Sequence, residues 1–325
     1  MGAIKRYGVY VLLLAAAIAA SVSWYSRTVD SAPDKKKTVA LIVRMKHGDY
    51  WRTVKLGAEM AAKEYDLNLN FYAPDYEEDS QSQMELVNQA ARDGYDALVV
   101  APSDDSVLQE AISQTKGGVP IIALDAEGER AEVAGYIGTD NYDMGKKACE
   151  KMIQLIGKSG RIALVGTGRG KEGATRREQG VRDVIAQNRQ VELVASRYAQ
   201  PDKKLVGELI RELIQSEPDI RGIIALDAGT SISVAEEIEK LGLQEKVKIV
   251  AIDSPLEVLE YLQEGVISAT VIQKPFSMGY LGVKYALDAS RGAGVPSRVD
   301  TGTKVIDREN MFWSENQKLL FPFVK

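Results

Sequence analysis

Cysteine and histidine are almost missing from this chain: Cys149 and His47 are the only ones among 325 residues. One cysteine excludes an intrachain disulfide and any zinc or iron–sulfur site built on clustered thiolates. One histidine leaves most imidazole chemistry with a single candidate. The basic excess of a duplex nucleic-acid binder is also absent, since 41 Lys and Arg face 46 Asp and Glu for a net charge of −5. No GxxxxGK[ST] phosphate loop and no GxSxG nucleophile elbow occurs. What remains, 45% apolar and 27% charged, is an ordinary folded composition with length for two domains. These absences move the expected function from catalysis towards binding, with no cofactor, no metal and no nucleic-acid partner.

The N-terminus is a different material. Residues 1–37 carry a net charge of +4 and the remainder −9. Lys5 and Arg6 precede an uncharged apolar stretch from Gly8 to Trp24. It reads either as a signal peptide, with the small residues Ala17-Ile-Ala19 at a cleavage site, or as a membrane anchor with Trp24-Tyr25 at the interface. Either way residues 1–26 direct the folded part out of the cytoplasm. No cysteine follows the apolar stretch, which excludes a lipoprotein. Residues 27–37 read as a linker.

From Thr38 onward short β-branched runs alternate with segments of helical period. Strands are predicted at 39–43, 69–72, 97–101, 121–124, 161–165, 191–195, 222–226, 248–252 and 268–272. Continuous apolar strands flanked by amphipathic helices indicate α/β architecture with parallel sheets covered on both faces. The spacing repeats: strands begin near 39, 97 and 121, and again near 162, 223 and 249. This repeat implies two doubly wound lobes. A second echo, Ile-Ile-Ala-Leu-Asp-Ala at both 121–126 and 223–228, is out of phase with that repeat and reads as shared strand chemistry.

Ligands of open parallel sheets bind beyond the carboxyl ends of the strands. That rule nominates Arg44, Pro102-Ser103, Asp125, Thr139-Asp140, Gly166, Asp227, Asp253 and Gln273. Asp125, Asp227 and Asp253 each end an apolar run; singly they fit helix caps or turns, and as a set they point to a ligand. Tyr50-Trp51 stands at a helix start, fit either for packing or for covering the apolar face of a sugar ring. Arg177, early in the helix after the fifth strand, offers a planar pair of donors to hydroxyls or a carboxylate. His47 reads as a polar surface residue. The string Gly168-Arg-Gly-Lys-Glu-Gly173 imitates a dinucleotide fingerprint, but no acid ends the next strand to meet a ribose, so a Rossmann-like nucleotide-dependent enzyme is the remote alternative.

Several segments in order and spacing resemble the periplasmic sugar-binding proteins of the ribose-binding, type I class, which share their core with LacI-type repressors. They are Thr38-Val-Ala-Leu-Ile-Val43, Tyr50-Trp51, Gly94-Tyr-Asp-Ala-Leu-Val-Val-Ala-Pro102 and Pro120-Ile-Ile-Ala-Leu-Asp125. They continue through Ile137-Gly-Thr-Asp-Asn141, Arg177 with Gly180, Ile249-Val-Ala-Ile-Asp253 and Ala269-Thr-Val-Ile-Gln273-Lys-Pro275. No helix-turn-helix precedes Thr38, which argues against a repressor. The resemblance implies a three-strand hinge near Asn141, Lys274 and Thr301. The N-terminal lobe would then comprise 38–141 plus 274–300, and the C-terminal lobe 142–273 plus 301–325. It implies ligand contacts at Arg44, Tyr50, Trp51, Asp125, Arg177, Asp227, Asp253 and Gln273, with Ala126 where ribose binders have an arginine. The near balance of Arg44, Lys46 and Arg177 against three aspartates suits a neutral sugar or polyol. The implied partner is an ABC permease or, alternatively, a sensor histidine kinase.

Overall fold

The computed structural model describes residues 16–21, 36–77, 79–116, 118–126, 132–168 and 170–322. Met1–Lys37 forms a unit by itself, in which residues 16–21 are helical. The rest of the apolar stretch, Trp24 and the linker up to residue 35 lie outside the described residues. Among the described residues no helix is long and apolar enough to cross a membrane.

Thr38–Lys325 is the second unit and holds two six-stranded sheets. The first contains β1 (Thr38–Ile42), β2 (Asn68–Tyr72), β3 (Ala97–Val100), β4 (Ile121–Leu124), β5 (Gly135–Gly138) and β11 (Arg298–Asp300), in the order β11-β5-β4-β3-β1-β2. The second contains β6 (Gly160–Thr167), β7 (Val191–Ala199), β8 (Ile220–Ala225), β9 (Lys248–Ile252), β10 (Ala269–Ile272) and β12 (Lys304–Ile306), in the order β12-β10-β9-β8-β6-β7. The two orders are the same once β1–β5 are laid on β6–β10, so the repeat in the spacing is a repeat of topology. All pairings are parallel except β10 with β12. Alternate residues of one strand enter different cores: Val39 and Leu41 face one apolar cluster, Ala40 and Ile42 the other. A strand buried on both sides has no polar alternation, which is why these runs read as continuous.

The helices of the first lobe are α1 (Asp49–Glu64), α2 (Ser80–Asp93) and α3 (Asp105–Thr115). Those of the second are α4 (Asn141–Leu155), α5 (Glu172–Ala186), α6 (Lys203–Ser216), α7 (Ala228–Lys240) and α8 (Leu256–Glu264). α9 (Pro275–Ser290) leaves the second sheet and packs on the first, contributing Met278, Val283, Ala286 and Leu287 to its core. α10 (Ser314–Leu320) closes the second lobe, where Leu320 joins the core. The chain crosses between sheets after β5, after β10 and between β11 and β12. Thr301 N–H and Oγ1 both donate to Gly138 O, at 2.9 and 3.1 Å, and Asp140 N–H donates to Asp300 Oδ1 at 3.0 Å, stitching the first crossing to the third.

Cys149 lies on α4 in a fully buried cluster with Met144, Met152 and Leu164. Burial, helped by Glu150, pushes its thiol up to about 12. The native protein should therefore resist a maleimide or disulfide reagent at neutral pH and react at once in denaturant, because the thiolate is the reacting form. Rapid labelling of the native chain would show that the core around α4 opens.

Candidate functional site

Two aspartates mark the carboxyl edges of the two sheets. Asp125 follows β4 and Asp253 follows β9, and both hold the left-handed backbone, φ 66° and 68°. Such a conformation costs an L residue energy unless surroundings impose it, and Asp tolerates it better than most. The same two bonds impose it in each lobe. Asp125 N–H donates to Ile137 O at 2.9 Å, and Asp253 N–H to Val271 O at 3.0 Å, each on the neighbouring strand. Tyr136 Oη donates to Asp125 O at 3.0 Å, and Thr270 Oγ1 to Asp253 O at 2.6 Å.

Around Asp125 the first lobe supplies a cation and a hydroxyl. Arg44, just past β1, places Nη2 2.9 Å from Asp125 Oδ2, while its Nε donates to Pro102 O at 2.8 Å. Tyr50, in the first turn of α1, donates its hydroxyl to Asp125 Oδ1 at 2.5 Å. Burial first, and then the nearby charges of Asp125 and Asp253, hold the Tyr50 phenol well above its ordinary range, so it remains a donor.

Around Asp253 the second lobe supplies an amide donor instead. Gln273 Nε2 donates to Asp253 Oδ1 at 2.9 Å. Arg177 lies on α5, its Nε bonded to Asn141 Oδ1 at 2.8 Å and its Nη1 to Leu226 O at 2.7 Å. Burial raises the Asp253 carboxyl above its ordinary value; Arg177 and the Gln273 bond oppose the rise, and Asp125 and Asp227 add to it. Gln273 is 9% exposed and joins the two halves. Its Oε1 accepts from Thr139 Oγ1 at 2.8 Å and lies 3.5 Å from Tyr50 Oη. Thr139 follows β5 as Gln273 follows β10, so equivalent residues of the two lobes meet where the chain crosses.

The structure thus brings Arg44, Tyr50, Asp125, Arg177, Asp253 and Gln273 to one cleft. Two expected contacts take other work. Trp51 is 4% exposed and belongs to the first-lobe core, edge-on to Tyr50, with the Arg44 guanidinium 5.6 Å from its ring centre. It supports Arg44 and offers no open ring face, because the core takes one side and the guanidinium lies over it. Asp227, unlike Asp125 and Asp253, has extended backbone, φ −154°, and caps α7. Oδ1 accepts from Thr230 N–H, and Oδ2 from Thr167 N–H, Thr167 Oγ1 and Thr230 Oγ1, all at 2.8–3.0 Å. A carboxylate accepts about four bonds, so this one is filled.

Asn141, Tyr136 and Thr270 have no role in the site by sequence reasoning, whereas Thr139 is among the strand-end residues it nominates. Asn141 adjoins that strand-end segment, so its position is a signal; Tyr136 and Thr270 lie within strands and carry no local signal. His47 is exposed, and among the described residues no group of His, Cys, Asp and Glu could hold a metal ion. The cleft is a set of fixed donors and acceptors suited to a small polyhydroxylated molecule.

Known proteins resemble this chain in sequence and fold. The D-allose-binding periplasmic protein of Escherichia coli is 25% identical over 265 residues, which cover 79% of this chain and 85% of that one. The ribose import binding protein RbsB of Bacillus subtilis is 24% identical over 282 residues, 86% and 90% of the two chains. Among solved structures, a carbohydrate transporter solute binding protein from Agrobacterium radiobacter in complex with D-arabinose superposes with a TM-score of 0.80 at 26% identity, covering 88% of this chain and 99% of that one. The glucose-galactose binding protein GanP of Geobacillus stearothermophilus gives 0.80 at 25%, covering 86% and 100%. These are substrate-binding proteins and not enzymes. The profile of the family described as periplasmic binding protein domain matches residues 39–294. The chain therefore belongs to the periplasmic binding protein family, in its type I, sugar-binding class.

Proposed function

We propose that this chain binds a neutral monosaccharide or related polyol between its lobes, outside the cytoplasm, and delivers it to an ABC permease. The observation that carries the reading is the pair of left-handed aspartates, Asp125 bonded to Arg44 and Tyr50, and Asp253 bonded to Gln273, which reaches Tyr50. Carboxylates accept from sugar hydroxyls and guanidinium groups donate to them. Two of each leave little net charge for a phosphate ester to recognise. Arg44, Tyr50, Asp125, Arg177, Asp253 and Gln273 are the proposed contacts, with Trp51 and Asp227 supporting them. The lobes are 38–141 plus 274–300 and 142–273 plus 301–325, and residues 1–26 serve as export signal or anchor. The relatives' names speak of import and of transporters, which favours delivery over signalling to a kinase.

A thermal-shift screen of the full chain tests this with D-allose, D-ribose, D-arabinose and D-galactose beside ribose 5-phosphate, glucuronate and ATP. A neutral sugar at a hundred times its Kd should stabilise the fold by about 2.7 kcal/mol. Stabilisation by the anions alone would overturn the proposal.

A further inference from the structure

Four glycines occupy equivalent places in the two lobes, and each lies against the backbone of the helix packed opposite, Gly145 against that of Arg177 itself. In the second lobe α4, which leaves the first crossing, packs on α5, which carries Arg177. A Cβ on Gly145 of α4 would lie 2.0 Å from Arg177 O and 2.8 Å from Arg177 Cα. A Cβ on Gly180 of α5 would lie 2.2 Å from Tyr142 O and 2.9 Å from Lys146 N, next to the Asn141 that orients Arg177. In the first lobe α9, which leaves the second crossing, packs on α1, which carries Tyr50. There a Cβ on Gly279 would lie 1.8 Å from Val54 O, and one on Gly57 2.0 Å from Phe276 O. Gly145 is the fifth residue of α4 and Gly279 the fifth of α9. The spacing from Arg177 to Gly180 equals that from Val54 to Gly57. The duplication sets the buried Val54 of α1 at the place of Arg177 in α5.

We infer that the second-lobe pair are positioning residues for sugar binding: Gly145 and Gly180 clamp the hinge helix α4 to the cleft helix α5 and so fix Arg177, while Gly57 and Gly279 make the same helix contact in the first lobe, one to two turns beyond Tyr50. This rests on the proposed contacts being right. Real Cβ atoms keep beyond 3.0 Å of such neighbours. One added methyl at Gly145 must therefore move α5 by about 1 Å, because close-packed backbone has nowhere else to yield. The 2.8 Å bond from Arg177 Nε to Asn141 would then pass the limit of a hydrogen bond. The clamp ties the place where the lobes pivot to the side chains that grip, leaving no slack between them.

The test compares Gly145→Ala, Arg177→Ala and their double variant with the parent full chain, using D-ribose, D-allose and D-arabinose as probes in calorimetry. Gly222→Ala is the control, since its Cβ would meet the flexible Met152 Sδ at 2.3 Å in the same lobe, away from the cleft. Gly145→Ala should weaken binding at least tenfold, Gly222→Ala less than threefold, and Gly145→Ala should add nothing once Arg177 is gone. Without any sugar, the Arg177 Nε–H signal in 15N NMR should exchange with solvent at least tenfold faster in Gly145→Ala and unchanged in Gly222→Ala. Unchanged exchange with a lowered Tm would make the glycines packing residues only and overturn the inference. So would failure of both Gly145→Ala and Gly180→Ala to fold. If instead Arg177→Ala binds like the parent, the site assignment fails, and the exchange measurement still decides the clamp.

Discussion

Asp253→Asn should weaken sugar binding by roughly two orders of magnitude while leaving the sugar-free protein no less stable. Asparagine keeps the left-handed backbone that alanine would strain at φ 68°. It keeps an acceptor for Gln273 but loses the charge and one acceptor oxygen. A hydrogen bond to a charged group is worth about 1.5–3 kcal/mol, and 1.4 kcal/mol is tenfold in affinity. The stability half comes from burial, which raises the folded-state pKa of Asp253. A carboxyl so raised favours the fold below its unfolded pKa, and that contribution is lost as pH rises through the folded value. At neutral pH the charged form is a cost that asparagine removes, a trade of stability for function. For the same reason the parent should begin losing sugar affinity on acidification at a pH above the ordinary aspartate range. Calorimetry giving Asp253→Asn an affinity within threefold of the parent would remove Asp253 from the site.

Asp227→Ala should show the opposite signature. It uncaps α7 and leaves Thr167 N–H without its acceptor, costs of about 0.5–2 and 1–3 kcal/mol. Together that is about 1.5–5 kcal/mol, read as a Tm lower by roughly 5 °C. Affinity at a temperature where the variant is folded should stay within tenfold of the parent. An unchanged Tm with lost binding would return Asp227 to the list of contacts.

The contrast between these aspartates shows where sequence reading stops. Residues 121–126 and 223–228 are the same six letters, yet Asp125 is left-handed at the cleft and Asp227 is an extended helix cap. The residues downstream make the difference: Thr230 lies three positions on to receive a cap, whereas Asp125 is captured from β5 by Tyr136 and Ile137. The strands and their repeat were legible because burial on both faces leaves an apolar run that needs no partner to be seen. β5, β11 and β12 were not, being three or four residues long with glycine or charge at their ends. Arg44, Tyr50, Asp125, Arg177, Asp253 and Gln273 were legible from the strand-end rule and the resemblance. The burial of Trp51 and the glycine clamps were not, since both depend on which helix lies opposite.

The passage of α9 back onto the first sheet also sets an order of events during synthesis. Val39 and Leu41 share a core with Met278, Val283 and Leu287, and β5 pairs with β11, so the earliest strands await a helix made more than 230 residues later. A ribosome that has released residues 38–140 has made five strands with one face covered by α1 alone. Residues 141–272, by contrast, already hold five strands and five helices of the other lobe. The half of the molecule made second is therefore nearer completion when its own strands are made, and the half made first keeps part of its apolar face exposed until α9 arrives.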